Sequence, residues 1–107
     1  MSTMKEYEAV VPYILLEIQR ARSLFPPFHS AHEGYATLLE EVDELWELVK
    51  ANPTRRDYAA MRKEAVQVAA MAISFIVEVC GAQQPSTSLD RHARVLQADS
   101  ERAQEER

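Results

Sequence analysis

Residues 38–50 read LLEEVDELWELVK, and this stretch decides the fold class. Its apolar residues at 38, 39, 42, 45, 46 and 49 recur at spacings of three and four, the period of one face of a helix. Extended back to Tyr35, the stripe spans about 120° on a wheel of 100° per residue. Five of the eight positions from Glu40 to Glu47 are acidic. The helical period divides them. Glu40, Asp43 and Glu47 fall roughly 100° to 160° from Val42 and read as a solvated face. Glu41 and Glu44 fall on the opposite flank with Thr37 and Leu48, at the border of buried surface. No Lys or Arg stands three or four residues after Glu41 to neutralise it.

The flanking sequence sets the ends of this helix. Ser30 followed by Glu33 predicts a capping box and a helix over 31–51, stopped at Asn52-Pro53. Upstream, Tyr7, Val10, Val11, Ile14, Leu15, Ile18 and Ala21 predict an amphipathic helix over 4–24, ended by FPPF at 25–28. Pro12 lies inside that pattern, so the helix either kinks there or begins there. Downstream, Thr54 is the expected cap of a third helix, with Asp57 three residues later. That helix is predicted to run to Cys80, with Gly81 as its stop. From Ala65 to Cys80 it is apolar nearly all round, interrupted by Gln67, Ser74 and Glu78, so most of its circumference must be covered. Two helices of a short chain do not suffice for that, and a second copy is expected against it. QQPSTS at 83–88 reads as a polar linker. Residues 89–107 read as a fourth helix with a thin face of Leu89, Ala93 and Leu96, fraying beyond Ala98. The expectation is an all-α fold: a helical bundle of three main helices plus a C-terminal helix, completed by dimerisation. Residues 1–81 form the helical domain, and 82–107 the linker and tail.

Composition narrows the function. A chain of 107 residues with 47% hydrophobic residues, two glycines and net charge −5 reads as one soluble, helix-rich domain. The acid excess argues against a nucleic acid polymer as partner, because no basic stripe is present to neutralise a row of phosphates. Cys80, the single cysteine, excludes an intramolecular disulfide and a cysteine zinc site. It suits a reducing compartment, and cytoplasm is the default expectation. It reads as a small buried hydrophobe rather than a nucleophile. The amino terminus lacks a signal-peptide pattern. The longest apolar run, 68–77, is broken by Ser74 and too short for a bilayer, so no membrane association is expected.

The chemistry lies in two stripes. On the third helix Glu64, Gln67, Met71, Ser74 and Glu78 follow one another at spacings of three or four. A short connection makes the second and third helices antiparallel neighbours, which brings Glu41 and Glu44 to face Glu64 and Gln67. At 4 Å and an effective dielectric of 20, each carboxylate pair costs about 4 kcal/mol, so a proton or a cation must sit among them. Oxygen-only ligands select a hard ion, Mg²⁺ or Mn²⁺. Other candidates are weaker on spacing alone. His32 is placed to contact a substrate. Lys50, Arg55, Arg56 and Lys63 near the connection are placed to hold phosphates, although each also reads as a solvated charge. Tyr35 and Trp46 read as core.

The run Glu40-Glu41-Val42-Asp43-Glu44-Leu45 followed by Lys63-Glu64-Ala65-Val66-Gln67 resembles the paired EExxE and ExxD motifs of the MazG-like, all-α nucleoside triphosphate pyrophosphohydrolases. The resemblance spans 32–77. It implies a homodimer or homotetramer and Mg²⁺ held by Glu41, Glu44 and Glu64. It also implies hydrolysis of a (d)NTP to a monophosphate and pyrophosphate, with one of these glutamates, Glu41 among them, or the neighbouring Glu40 orienting the attacking water. Gln67 stands where the pattern has Asp; an amide oxygen can coordinate Mg²⁺ but brings no charge and is no base. The alternative is a non-catalytic helical dimer that binds a nucleotide or a protein partner.

Overall fold

The computed structural model describes residues 2–81 and 86–105, and among these every regular element is helical. Helix α1 runs over Met4–Leu24 and opens with the Thr3 N–H donating to Glu6 Oε2 at 2.7 Å. It passes through Pro12, so it does not begin there. Pro12 cannot donate to the carbonyl of Glu8, which belongs to an exposed residue where water can replace the lost bond. At the other end Phe25 turns extended (φ −133°, ψ 148°) ahead of the two prolines, and its N–H closes on Ala21 O at 2.9 Å.

Helix α2 spans Ala31–Val49, ending short of the expected Ala51. Ser30 Oγ accepts from Glu33 N at 3.1 Å, but the Glu33 carboxylate lies against His29 Nδ1 at 3.2 Å, so only one half of the reciprocal cap forms. A single 3₁₀ turn, Pro53–Arg55, follows. Thr54 is not the cap of the next helix. Its N–H and hydroxyl both donate to Asn52 Oδ1, at 3.0 and 2.8 Å, and Asp57 takes over the capping role by accepting from Ala60 N at 3.0 Å. Arg56 Nε donates to Val49 O at 3.1 Å, satisfying one of the orphan carbonyls at the end of α2.

Helix α3, Tyr58–Phe75, continues into a wider π-type turn over Ile76–Cys80. Gly81, the expected stop, follows this turn with right-handed helical angles (φ −63°, ψ −34°). Helix α4, Ser86–Glu105, takes in three residues of the expected linker and stays helical past Ala98. The remainder of that linker lies outside the described residues.

α3 packs against both α1 and α2. Gly34 of α2 meets Phe75, whereas Glu41 and Gln67 meet farther along, so α2 and α3 run in opposite directions. The close approach requires glycine: a Cβ on Gly34 would stand 2.8 Å from Phe75 Cδ2 and 3.1 Å from Phe28 Cδ2. The core is thin. Among the described residues Ala21, Ala70 and Met71 are the buried apolar ones, with Ile14, Ile18, Phe28 and Leu38 packed against them.

The apolar stripe of α2 is therefore split. Leu38, Leu45 and Val49 are half-buried, while Tyr35 (60% exposed), Leu39 (41%), Val42 (41%) and Trp46 (56%) face outward. Tyr35 and Trp46 are thus not core residues of this chain. The face that α2 turns inward carries Gly34, Leu38, Glu41, Leu45 and Leu48. In the π-type turn after α3, Ile76 and Val77 are likewise exposed. No helix among the described residues is long and apolar enough to cross a membrane.

Candidate functional site

The inward face of α2 explains how carboxylates come to meet here. Glu41 lies one helical turn from both Leu38 and Leu45, so packing Leu38 and Leu45 against α3 carries Glu41 partly out of water. Glu44 follows at the more exposed margin, and Glu64, half-buried, projects from the second turn of α3. One carboxylate oxygen from each of Glu41, Glu44 and Glu64 lies within 4.8 Å of the others.

Gln67 sits one turn beyond Glu64 and closes the group. With its NH₂ turned toward the carboxylates it donates to Glu64 Oε2 at 2.7 Å and to Glu41 Oε2 at 3.0 Å. With the amide turned over, its oxygen instead joins the carboxylates, and four oxygens converge. Only a proton or cation relieves that second arrangement. The donor set is oxygen alone, the chemistry that suits a hard divalent ion.

The electrostatics follow from this crowding. Glu41 is pushed up from 4.5 to about 7, first by its partial burial and then by the charge and hydrogen bonding of Glu44, with Glu64 and Glu17 adding to it. Glu64 is raised for the same leading reason, burial, and by Glu44, while Lys63 beside it pulls the other way.

Two contributors come from α1, which motif spacing did not single out. Glu17 is gripped by Arg20, whose Nε and Nη2 donate to the two carboxylate oxygens at 2.9 and 2.5 Å. That hydrogen-bonded pair holds Glu17 below the ordinary carboxylate value, and Gln67 assists. A signal for Glu17 existed: it falls three residues after Ile14 and four before Ala21, so an acid occupies the apolar stripe of α1.

Beside the cluster opens a cavity of about 350 Å³. Glu17, Arg20, Glu41 and Gln67 form one wall, and Phe25, Pro26 and Phe28 of the FPPF turn form another. Thr37, Glu33 and Glu40 line the α2 side, so Glu40 points into the same space as Glu41. The FPPF wall is tied down from α3. Glu78, brought round by the π-type turn, accepts from Phe28 N at 2.9 Å and pairs with Arg22 at 3.3 Å. Arg22 in turn donates to Pro26 O at 2.7 Å and lies 5.5 Å over the Phe28 ring.

The remaining sequence candidates disperse. His32 borders a separate shallow hollow with Ala31, Tyr35 and Phe75. Lys50 pairs with Glu47 at 2.8 Å at the far end of α2, and Arg56 is engaged by Val49 O. Arg55 is exposed in the 3₁₀ turn. Lys63 lines a groove between α1 and α3 together with Arg20 and Arg62. Compared with protein-family models, with curated proteins and with solved structures, the chain matches none.

Proposed function

We propose that this chain is a Mg²⁺-dependent, MazG-like nucleoside triphosphate pyrophosphohydrolase, with Mn²⁺ as the substitute ion. The observation that carries the reading is the convergence of Glu41, Glu44 and Glu64 from two helices at the edge of a cavity large enough for a nucleoside. The motif resemblance supplies the class of reaction.

Glu41, Glu44 and Glu64 would hold the ion, and Gln67 could add its amide oxygen beside them. When bound, Mg²⁺ neutralises phosphate charge and acidifies a coordinated water. Phe25 and Phe28 offer the nucleobase apolar and aromatic surface, held in place by Glu78 through Arg22 and the Phe28 N–H. Glu40, exposed on the α2 side of the cavity, orients the attacking water and accepts its proton. The water oxygen bonds to the α phosphorus, the bond from that phosphorus to the α–β bridging oxygen breaks, and pyrophosphate departs with the electron pair.

The assembly belongs to the same proposal. With three buried apolar residues among those described, the bundle is thinly cored, and the outward stripe Tyr35, Leu39, Val42 and Trp46 supplies further surface against a second copy.

A second reading rests on Gln67. Because its amide can donate to Glu41 and Glu64 together, it relieves part of the repulsion without a cation, as a non-catalytic nucleotide- or protein-binding relative would require. One experiment separates the two. Purified protein is assayed for pyrophosphate release from a panel of standard and modified dNTPs with Mg²⁺ or Mn²⁺, beside Gln67→Asp. Turnover by the native chain, lost in Glu44→Gln, supports the enzyme. No turnover by the native chain but turnover by Gln67→Asp supports the non-catalytic relative. Absence of ion binding by either form in calorimetry defeats the hydrolase reading.

A further inference from the structure

On the far side of Glu17 from the cavity, a groove of about 370 Å³ runs between α1 and the start of α3. Leu16, Ala59 and Val66 contribute its apolar lining, and Arg20, Arg62 and Lys63 its charge. Three cations against one carboxylate, Glu17, is an unusual balance in a chain of net charge −5. Like charges gathered from two helices repel one another, and a bound anion removes that cost.

The groove is built rather than incidental. Arg62 is stacked 5.3 Å over the ring of Tyr13, which fixes its guanidinium at the rim. Arg20 is held by both carboxylate oxygens of Glu17. Neither Arg62 nor Lys63 has an ion-pair partner among the described residues. The groove also adjoins the carboxylate cluster: Glu17 and Arg20 line both the groove and the cavity, and Lys63 immediately precedes Glu64.

We infer that this groove is a phosphate subsite, in which Arg20, Arg62 and Lys63 take the distal phosphates of a nucleoside triphosphate and retain the pyrophosphate left by cleavage. The assignment to a triphosphate rests on the hydrolase reading; the anion site itself rests on the groove. The nucleoside then occupies the cavity, the reacting phosphorus lies beside the carboxylates, and the leaving group extends along α1. Arg20 serves both sides of that boundary.

The test is calorimetric titration of the purified chain with inorganic pyrophosphate in EDTA, at low and high salt. The native chain is expected to bind, more weakly as salt rises. The double variant R62Q/K63Q is expected to bind at least tenfold more weakly with an unchanged circular dichroism spectrum, and R62K/K63R to retain most of the affinity. Glu44→Gln is expected to bind no more weakly than the native chain. Should R62Q/K63Q fail to fold, R62Q and K63Q separately are each expected to weaken binding about threefold. Equal affinity in native and charge-removed forms, or no pyrophosphate binding by the native chain, overturns the subsite. The two readings fail separately: salt-dependent pyrophosphate binding without any dNTP turnover sinks only the hydrolase, and turnover with KM unchanged in R62Q/K63Q sinks only the subsite.

Discussion

Glu41 couples the chemistry of the cluster to the stability of the chain. Its proton is held more tightly in the folded protein, up to about 7 against an ordinary 4.5, and Glu64 shifts in the same direction. A carboxyl raised in this way stabilises the fold below pH 4.5, and that contribution is lost as the pH rises through about 7. The metal-free protein is therefore expected to melt at a lower temperature at pH 8 than at pH 5. Glu41 accounts for about 1 kcal/mol of this once solvent screening is allowed for. Millimolar Mg²⁺ is expected to restore the melting temperature at pH 8 and to do little at pH 5. Thermal unfolding followed by circular dichroism at both pH values checks this, and a profile indifferent to pH and Mg²⁺ counts against the cluster. The helical period put Glu41 and Glu44 on one flank of the acidic run and Glu40, Asp43 and Glu47 on the other; Glu41 is half-buried and Asp43 and Glu47 are exposed, whereas Glu44 stays exposed and Glu40 lines the cavity. Glu17 showed only as an acid in the apolar stripe of α1, and its place in the site, like that of Arg20, depends on how α1 docks. Ser74 is a different case: its hydroxyl is buried (2% exposed) with no hydrogen-bond partner among the described residues. Ser74→Ala is expected to raise stability by about 1 kcal/mol in chemical denaturation, because it removes a desolvated group that returns nothing.

Among the elements, the π-type turn at the end of α3 has the clearest mechanical role. The wider turn brings Glu78 to the Phe28 N–H and to Arg22, so one carboxylate joins α3, the FPPF turn and α1. Glu78→Ala leaves the mostly buried Arg22 guanidinium without its counter-ion and the Phe28 N–H without its acceptor, and is expected to cost about 2 to 3 kcal/mol. Glu78→Gln keeps an acceptor for Phe28 and is expected to cost less; urea denaturation of the two variants gives the comparison. Helix existence, the stop at FPPF and the antiparallel course of α2 and α3 followed from periodicity and breakers. What spacing could not supply was competition between neighbours. Thr54 and Asp57 both have capping chemistry, and Asn52 decides the matter by engaging Thr54 first. Gly34 allows α2 to approach Phe75 closely, and Gly34→Val is expected to cost about 2 kcal/mol by overpacking, read as a fall in melting temperature.

For the whole molecule, the division of α2 into an inward and an outward apolar face matters most. A wheel shows one stripe of about 120°, but it cannot say that α3 covers only half of it. The sequence put a second copy against the third helix; the exposed half of the α2 stripe, Tyr35 to Trp46, is the surface on which the proposed dimer rests instead. On the dimer proposed above, association and folding would share this surface, and Val42→Asp is then expected to shift sedimentation toward a monomer and to lower stability together. The same stripe carries the only tryptophan of the chain. On the same proposal Trp46, 56% exposed in the single chain, is an optical gauge of assembly: its emission is expected to move to shorter wavelength as protein concentration rises, and to stay at the wavelength of a hydrated indole in Val42→Asp.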